Sequence, residues 1–178
     1  MEIFDVLNEY GEFTGKIATR EECHKKGYWH RAVYAFIIDK NGNVLLQKRS
    51  ASKKLWPNMW DVTVGGHVDR GEFGRQALIR EVKEELGIQI SDSDIKYLVG
   101  STSINKQGDI INKHYNECYL ITKNIDISNI VLQKEEVAEV KYFSKEELIK
   151  RIDNNYEGLT EKTGPWNFLK KILEEYAV

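Results

Sequence analysis

"REVKEELG", residues 80–87, places Glu81, Glu84 and Glu85 within about one and a half turns of an expected helix. Carboxylates three and four residues apart lie side by side and repel, weakening a helix by roughly 0.2–0.5 kcal/mol per pair. On a wheel of about 100° per residue, Leu78, Ile79, Val82 and Leu86 gather on one arc, the buried stripe. The three carboxylates gather on the neighbouring arc, beside the stripe rather than opposite it, which puts them at the edge of a cleft. A solvated acidic face is the alternative reading. The segment just upstream argues for more. "GGHVDRGE", residues 65–72, sets Gly65 and Gly66 side by side and Gly71 ahead of a further carboxylate, Glu72. Adjacent glycines allow close backbone approach. A carbonyl from that loop and three helical carboxylates compose a hard oxygen site suited to Mg²⁺ or Mn²⁺. A bound cation would relieve the repulsion.

Outward from the helix, the chain reads as an α/β mixture. "EIFDVL" and "TGKIAT" flank a turn-rich segment and predict an N-terminal hairpin. "TREE", residues 19–22, is a capping box opening a short helix. "AVYAFIID", residues 32–39, predicts a buried strand, joined by the turn "KNGN" to a partner strand "VLLQKR". "WDVTV", residues 60–64, reads as a short alternating strand and "GGHVDRGE" as loop, with the helix running from about Phe73 to Leu86 and stopped by Gly87. "IKYLVGST" and "HYNECYLIT" predict two strands around the turn "NKQGD", and "EVKYFS" another. "SKEE", residues 144–147, caps a helix to about Ile152. A last helix begins near Pro165, with Phe168, Leu169, Ile172 and Tyr176 at helical spacing.

A chain of 178 residues, 41% hydrophobic and 30% charged, with two prolines, fits one domain with a sizeable core. A net charge of −2 gives no footprint for nucleic-acid or membrane binding. Cys23 and Cys118 show neither zinc-type spacing nor a disulfide framework. With no signal-peptide pattern and no long apolar run, a cytoplasmic location is expected. Monomer and homodimer both stay open.

The stretch "GHVDRGEFGRQALIREVKEELGI", residues 66–88, resembles the complete box of the Nudix hydrolases. Its fixed positions are filled by Gly66, Glu72, Arg80, Glu81, Glu84, Glu85 and Gly87, with apolar Val82 and Ile88. The resemblance implies an α/β/α sandwich with a mixed sheet and a loop-helix-loop box, over one domain, 1–178, with residues 1–29 as an N-terminal hairpin extension. It also implies metal-dependent hydrolysis of a diphosphate linked to another moiety, with a metal-activated water attacking phosphorus. By position, Glu81, Glu84 and Glu85 are the implied metal carboxylates, with the Gly65 carbonyl as a further ligand. Arg80 is expected to orient Glu81, and Glu72 to brace loop and helix. For the general base, "QKEEVAEV" offers Glu135, Glu136 and Glu139; Glu136 is favoured because Val137 and Val140 turn inward. An exposed acidic loop is the alternative.

Over roughly residues 30–170 the chain also resembles type 1 isopentenyl-diphosphate isomerase, through "HRAVYAFIID", "QKRSASKKLWPNMWDVTVGGHVDRGE", "NECYLI" and "GPWNF". That likeness implies diphosphate contacts from Arg49 and Lys53, and a second, His-rich metal site from His30 and His67, with His24 and Glu117. His67, Glu117 and Trp166 complete the expected substrate-facing set; for Trp166, as for Trp29, Trp56, Trp60, Tyr115 and Tyr119, packing in the core is the commoner explanation. The isomerase, however, needs a cysteine acid/base before the "GH" pair, where this chain has Gly65; Cys118 lies one residue past the other catalytic position. Protonating a carbon–carbon double bond requires a placed acid. The sequence therefore reads as an isomerase-like hydrolase of a small-molecule diphosphate, with an isomerase and a non-catalytic nucleotide-binding module as alternatives.

Overall fold

The computed structural model describes residues 2–160 and 163–175. Its elements run β1 (Ile3–Leu7), β2 (Phe13–Thr19), α1 (Arg20–Lys26), β3 (Trp29–Ile38), β4 (Val44–Arg49), β5 (Trp60–Asp61), β6 (Val64–His67), α2 (Gly74–Leu86), β7 (Ile95–Gln107), β8 (Ile110–Thr122), β9 (Val137–Phe143), α3 (Lys145–Asp153) and α4 (Thr163–Glu175). Among the described residues the strands join one mixed sheet. β3 is its hub. It pairs in parallel with β8 from Trp29↔Lys113 to Ile38↔Thr122, and antiparallel with β6 and with the start of β4. β4 then diverges to pair with β5 and β9. The N-terminal hairpin is part of the same sheet, because Leu7 pairs with Trp29.

Side chains alternate between the two faces of each strand. Val33, Ala35, Val64, Tyr119 and Ile121 face one side, where Ala77, Leu78, Val82 and Leu86 of α2 cover them. Tyr34, Phe36, Leu46, Cys118 and Leu120 face the other, covered by Leu148 and Ile152 of α3 and by Trp166, Leu169 and Leu173 of α4. Helices on both faces give the expected α/β/α sandwich. A third cluster, Phe4, Val6, Ala18 and Cys23, seals the hairpin against α1, which opens on the expected Thr19–Glu22 capping box.

Three expectations change. "WDVTV" is not one strand: the chain breaks at Val62–Thr63, where the Thr63 hydroxyl donates to the Leu45 carbonyl and accepts from Ile37 N–H. "VGGH" is strand rather than loop, because Val64–His67 pairs residue for residue with Ala32–Ala35. β7 and β8 extend much further than their apolar cores, closing at Gly108 and Asp109; their outer halves are polar and gain cross-strand bonds rather than burial. Tyr176, expected on the last helix, lies outside the described residues.

Trp166 also departs from its expected substrate-facing role. It is 0% exposed, packs near Phe36 and donates from Nε1 to the Thr160 carbonyl. As a core residue, Trp166→Ala is expected to cost about 3–5 kcal/mol in urea unfolding. A side chain that only touched substrate would leave the unfolding midpoint nearly unchanged.

Candidate active site and histidine cluster

The box carboxylates differ in depth. Glu81 and Glu85 are 9% and 5% exposed, whereas Glu84 stays at the rim. Close approach to β6 sets this depth. A Cβ at Gly66 would stand 2.1 Å from the Glu81 carboxyl carbon, so any side chain there would evict Glu81. Glu85 accepts from the Gly65 N–H and from Gln47 Nε2 at 3.3 Å.

Arg80 ties the helix to the preceding loop. Its Nε and Nη2 donate to the two Glu72 oxygens, both at 3.0 Å, a bidentate fork. Its Nη1 donates to Glu81 at 2.7 Å and to Glu84 at 3.4 Å, and its Nη2 also donates to the His67 carbonyl at 3.0 Å. Glu72 in turn accepts from Asp69 N–H. The loop, the helix start and the end of β6 are thus fixed to one guanidinium.

One arginine does not neutralise the site. Burial raises Glu81 to about 7, against the pull of Arg80. Burial, and then the charges of Glu81, Glu136 and Asp61, push Glu85 well above the usual carboxylate range. This oxygen-rich set carries more negative charge than its neighbours balance, and that fits a hard divalent cation.

Arg49, Lys53, Glu135 and Glu136 line the same cleft, of about 1830 Å³. Arg49 is already engaged: Nε donates to the Leu55 carbonyl at 2.9 Å and Nη1 pairs with Asp61 at 3.1 Å. It holds the loop that carries Lys53. The Lys53 ammonium pairs with the Glu136 carboxylate. Val137 and Val140 turn inward as expected, at 0% and 9% exposure, while Glu139 pairs with Lys48. Gly65 has only ordinary contacts around an added Cβ, the nearest at 3.5 Å from Val62. The acid that isomerisation needs is therefore missing by sequence, not for want of space. Cys118 does not replace it: it is 0% exposed in the core, and burial pushes its thiol up to about 12.

Four histidines meet at the other end of the cleft. One donor nitrogen from each of His24, His30, His67 and His114 lies within 4.8 Å of the others. They come from α1, β3, β6 and β8. His30 and His114 are register partners, and His67 is opposite Ala32, two residues along β3 from His30, so all three share a face. Phe4 stacks on His30 and on His67, each at 4.9 Å between ring centroids. His30 is fully buried, and its Nδ1 bonds to the Tyr28 carbonyl at 2.9 Å, which leaves the Nε2 lone pair turned to the cluster. Nε2 of His24 and of His30 has no hydrogen-bond partner among the described residues. Burial lowers His24 to about 4 and His30 to about 3, so both are neutral near pH 7 and open to a cation.

His30, His67 and His24 thus come together as expected, but Glu117 does not join them. It is three residues from His114, an odd step that sends it to the opposite face of β8. There it accepts from the Tyr119 hydroxyl and fills the space over Gly74, away from the cleft. His114 is the residue that sequence reading missed. The even spacing of His114 to Asn116 and Cys118 was the available signal, but it has meaning only once the β3–β8 register is known.

The raised carboxylates carry a pH signature. Above about pH 4.5 the unfolded chain has released protons that native Glu81 still holds up to about 7. Glu81's contribution to the stability of the metal-free protein is therefore expected to fall as pH rises from about 4.5 to about 7, while the depressed His24 and His30 act in the opposite sense. Thermal unfolding across that window should show wild type losing stability relative to Glu81→Gln.

A NUDIX domain model matches residues 28–163. A Nudix hydrolase of Listeria monocytogenes is 39% identical over 148 residues, covering 83% of each chain. A Salmonella heidelberg isopentenyl-diphosphate Delta-isomerase is 40% identical, but over only 63 residues, 35% of each chain. The crystal structure of a Deinococcus radiodurans protein superposes with a TM-score of 0.72 over 99% of this chain and 100% of that one, at 23% identity. With the box geometry and a family match across most of its length, the chain belongs to the NUDIX family and is a Nudix hydrolase.

Proposed function

We propose that the protein hydrolyses a small organic or nucleotide diphosphate with Mg²⁺ or Mn²⁺ held by Glu81, Glu84, Glu85 and the Gly65 carbonyl. The observation that carries this is the under-neutralised pair of buried carboxylates, Glu81 and Glu85, beside a cleft that also presents Lys53. A divalent ion in such a site offsets phosphate charge and activates water. The chain's own residues do the rest. Arg80 and Glu72 hold Glu81 in place, Lys53 grips the diphosphate, and Glu136 takes the proton of the attacking water. The phosphoanhydride P–O bond breaks to give two phosphate-bearing products. The cleft exceeds the roughly 300–1,000 Å³ of an ordinary small-molecule pocket, which leaves room for the group beyond the diphosphate. Isomerisation of a prenyl diphosphate is the poorer reading, since neither Gly65 nor the buried Cys118 offers a placed acid.

The test is phosphate release from nucleotides, sugar nucleotides, prenyl diphosphates and other small diphosphates, with inorganic pyrophosphatase in every well. Glu84→Gln and Glu81→Gln are expected to lower kcat by about 10²-fold or more, the scale of losing a transition-state charge stabiliser. Ligand binding with no turnover of any compound by the wild type would replace this reading with a binding module.

The isomerase-like branch enters the proposal through the histidines. His30 and His67, with His24 and His114, hold a second cation. Four imidazoles suit Zn²⁺, Co²⁺ or Ni²⁺ rather than Mg²⁺. Zn²⁺ at about 100 times its Kd is expected to stabilise the metal-free protein by about 2.7 kcal/mol. Co²⁺ should give visible absorption. Both effects should vanish in His30→Gln, whereas Glu84→Gln should keep them.

A further inference from the structure

Lys53 and Glu136 are the diphosphate ligand and the proton acceptor of the proposed reaction, yet they are paired with each other. The pair competes with both roles. A lysine held by the carboxylate has less charge and fewer donors to offer phosphate, and a carboxylate held by ammonium is a weaker proton acceptor. We infer that the Lys53–Glu136 pair is a substrate-responsive safety: the incoming diphosphate takes Lys53, and only then is Glu136 released toward the attacking water. This inference rests on the hydrolase reading above and adds an order of events to it.

The surroundings allow the exchange without moving backbone. The two loops that carry the pair are joined independently of it. Ser50 N–H donates to the Glu136 carbonyl at 2.9 Å, and the Ser52 hydroxyl donates to the Glu135 carbonyl at 3.3 Å. Arg49 pins the first loop from inside through Leu55 and Asp61. Breaking the ion pair therefore needs only a swing of the lysine side chain. Lysine suits that task, as a point charge on a flexible stem, whereas the neighbouring Arg49 is held by Leu55 and Asp61. The side chains of Lys53 and Glu136 are 20% and 35% exposed, so water already reaches the pair and its rupture is not costly.

Electrostatics gives the exchange its direction. Without a cation, Lys53 balances the Glu136 charge at the edge of the acidic cleft. When a divalent ion and a diphosphate arrive together, the ion takes over the screening of the carboxylates. The diphosphate then presents more negative charge to Lys53 than one carboxylate does. Metal and diphosphate are thus both required to free Glu136. A diphosphate without the ion meets the full acidic cleft and leaves the pair closed.

A double-mutant cycle of thermal stability tests this, with wild type, Lys53→Met, Glu136→Gln and the double variant. Each is measured alone, with Mg²⁺, and with Mg²⁺ plus methylenediphosphonate, a diphosphate that cannot be hydrolysed. In the unliganded protein each single variant should lower Tm by about 1–3 °C, and the double variant should be no worse than either. With Mg²⁺ and methylenediphosphonate, wild type and Glu136→Gln should rise together, Lys53→Met should lose most of the rise, and the coupling should disappear. On the substrate found by the phosphate-release panel, Lys53→Met should raise KM by about tenfold and Lys53→Arg should recover most of it. Glu136→Gln should lower kcat with little change in KM. Coupling that persists with the ligand bound would overturn the exchange alone, because Lys53 would still be on Glu136. No coupling in the unliganded protein would overturn it too. If wild-type Tm does not rise with Mg²⁺ and methylenediphosphonate, the diphosphate reading of the cleft fails, and the exchange fails with it.

Discussion

The fork between Arg80 and Glu72 is the constraint on which the site depends. Three carboxylates on adjacent turns would splay toward water if left alone, and two of them are instead held inside the protein. Arg80 makes this possible by placing a fixed positive charge at the mouth of the cluster, with Nε and Nη2 on Glu72 and Nη1 on Glu81. Glu72 itself is anchored to the loop through Asp69. The same guanidinium reaches the His67 carbonyl at the end of β6, so the strand, loop and helix that make the box share one electrostatic hinge point. The glycine at 66 completes the arrangement by yielding the space that Glu81 occupies.

Glu81 and Glu85 therefore sit where charge is least comfortable, and this is what gives the site its chemistry. A carboxylate that is fully solvated gains little from a cation. One that is buried among like charges gains a great deal, because the ion relieves both desolvation and repulsion. The helix gives up some stability at Glu81, Glu84 and Glu85 and gains a cation site. The histidine cluster follows the same logic with the sign reversed. His24 and His30 are buried until they are neutral, so the cost there appears as unpartnered Nε2 lone pairs instead of unbalanced charge.

Much of this was legible in the residues. The wheel around Leu78, Val82 and Leu86 placed the carboxylates beside the core, and the turn of Gly87 ended the helix where expected. The glycines at 65 and 66 signalled close approach, although not that "VGGH" would pair as a strand against β3. What escaped was whatever depends on register between distant segments. A sequence lists Glu117 and His114 as near neighbours of equal promise. The pleat separates them to opposite faces of β8, sending one to the α2 side and the other to the histidines. Trp166 failed for a related reason: an aromatic near the end of a chain looks equally suited to a pocket or a core, and only the packing of α4 on the sheet decides.

The two ends of the cleft are linked by β6. Gly65 and Gly66 serve the carboxylates, His67 serves the histidines, and the His67 carbonyl is held by Arg80. A strand of four residues thus gives both donor sets a common backbone, with alternate residues turned to opposite faces. The parity that removes Glu117 from the histidines is the parity that lets Gly66 meet Glu81 on the α2 side while His67 faces away from α2. Any shift of β6 by one residue would exchange these faces and dismantle both donor sets at once. The antiparallel register of β6 on β3, more than any single side chain, is what keeps a hard oxygen site and a nitrogen site distinct within one cleft.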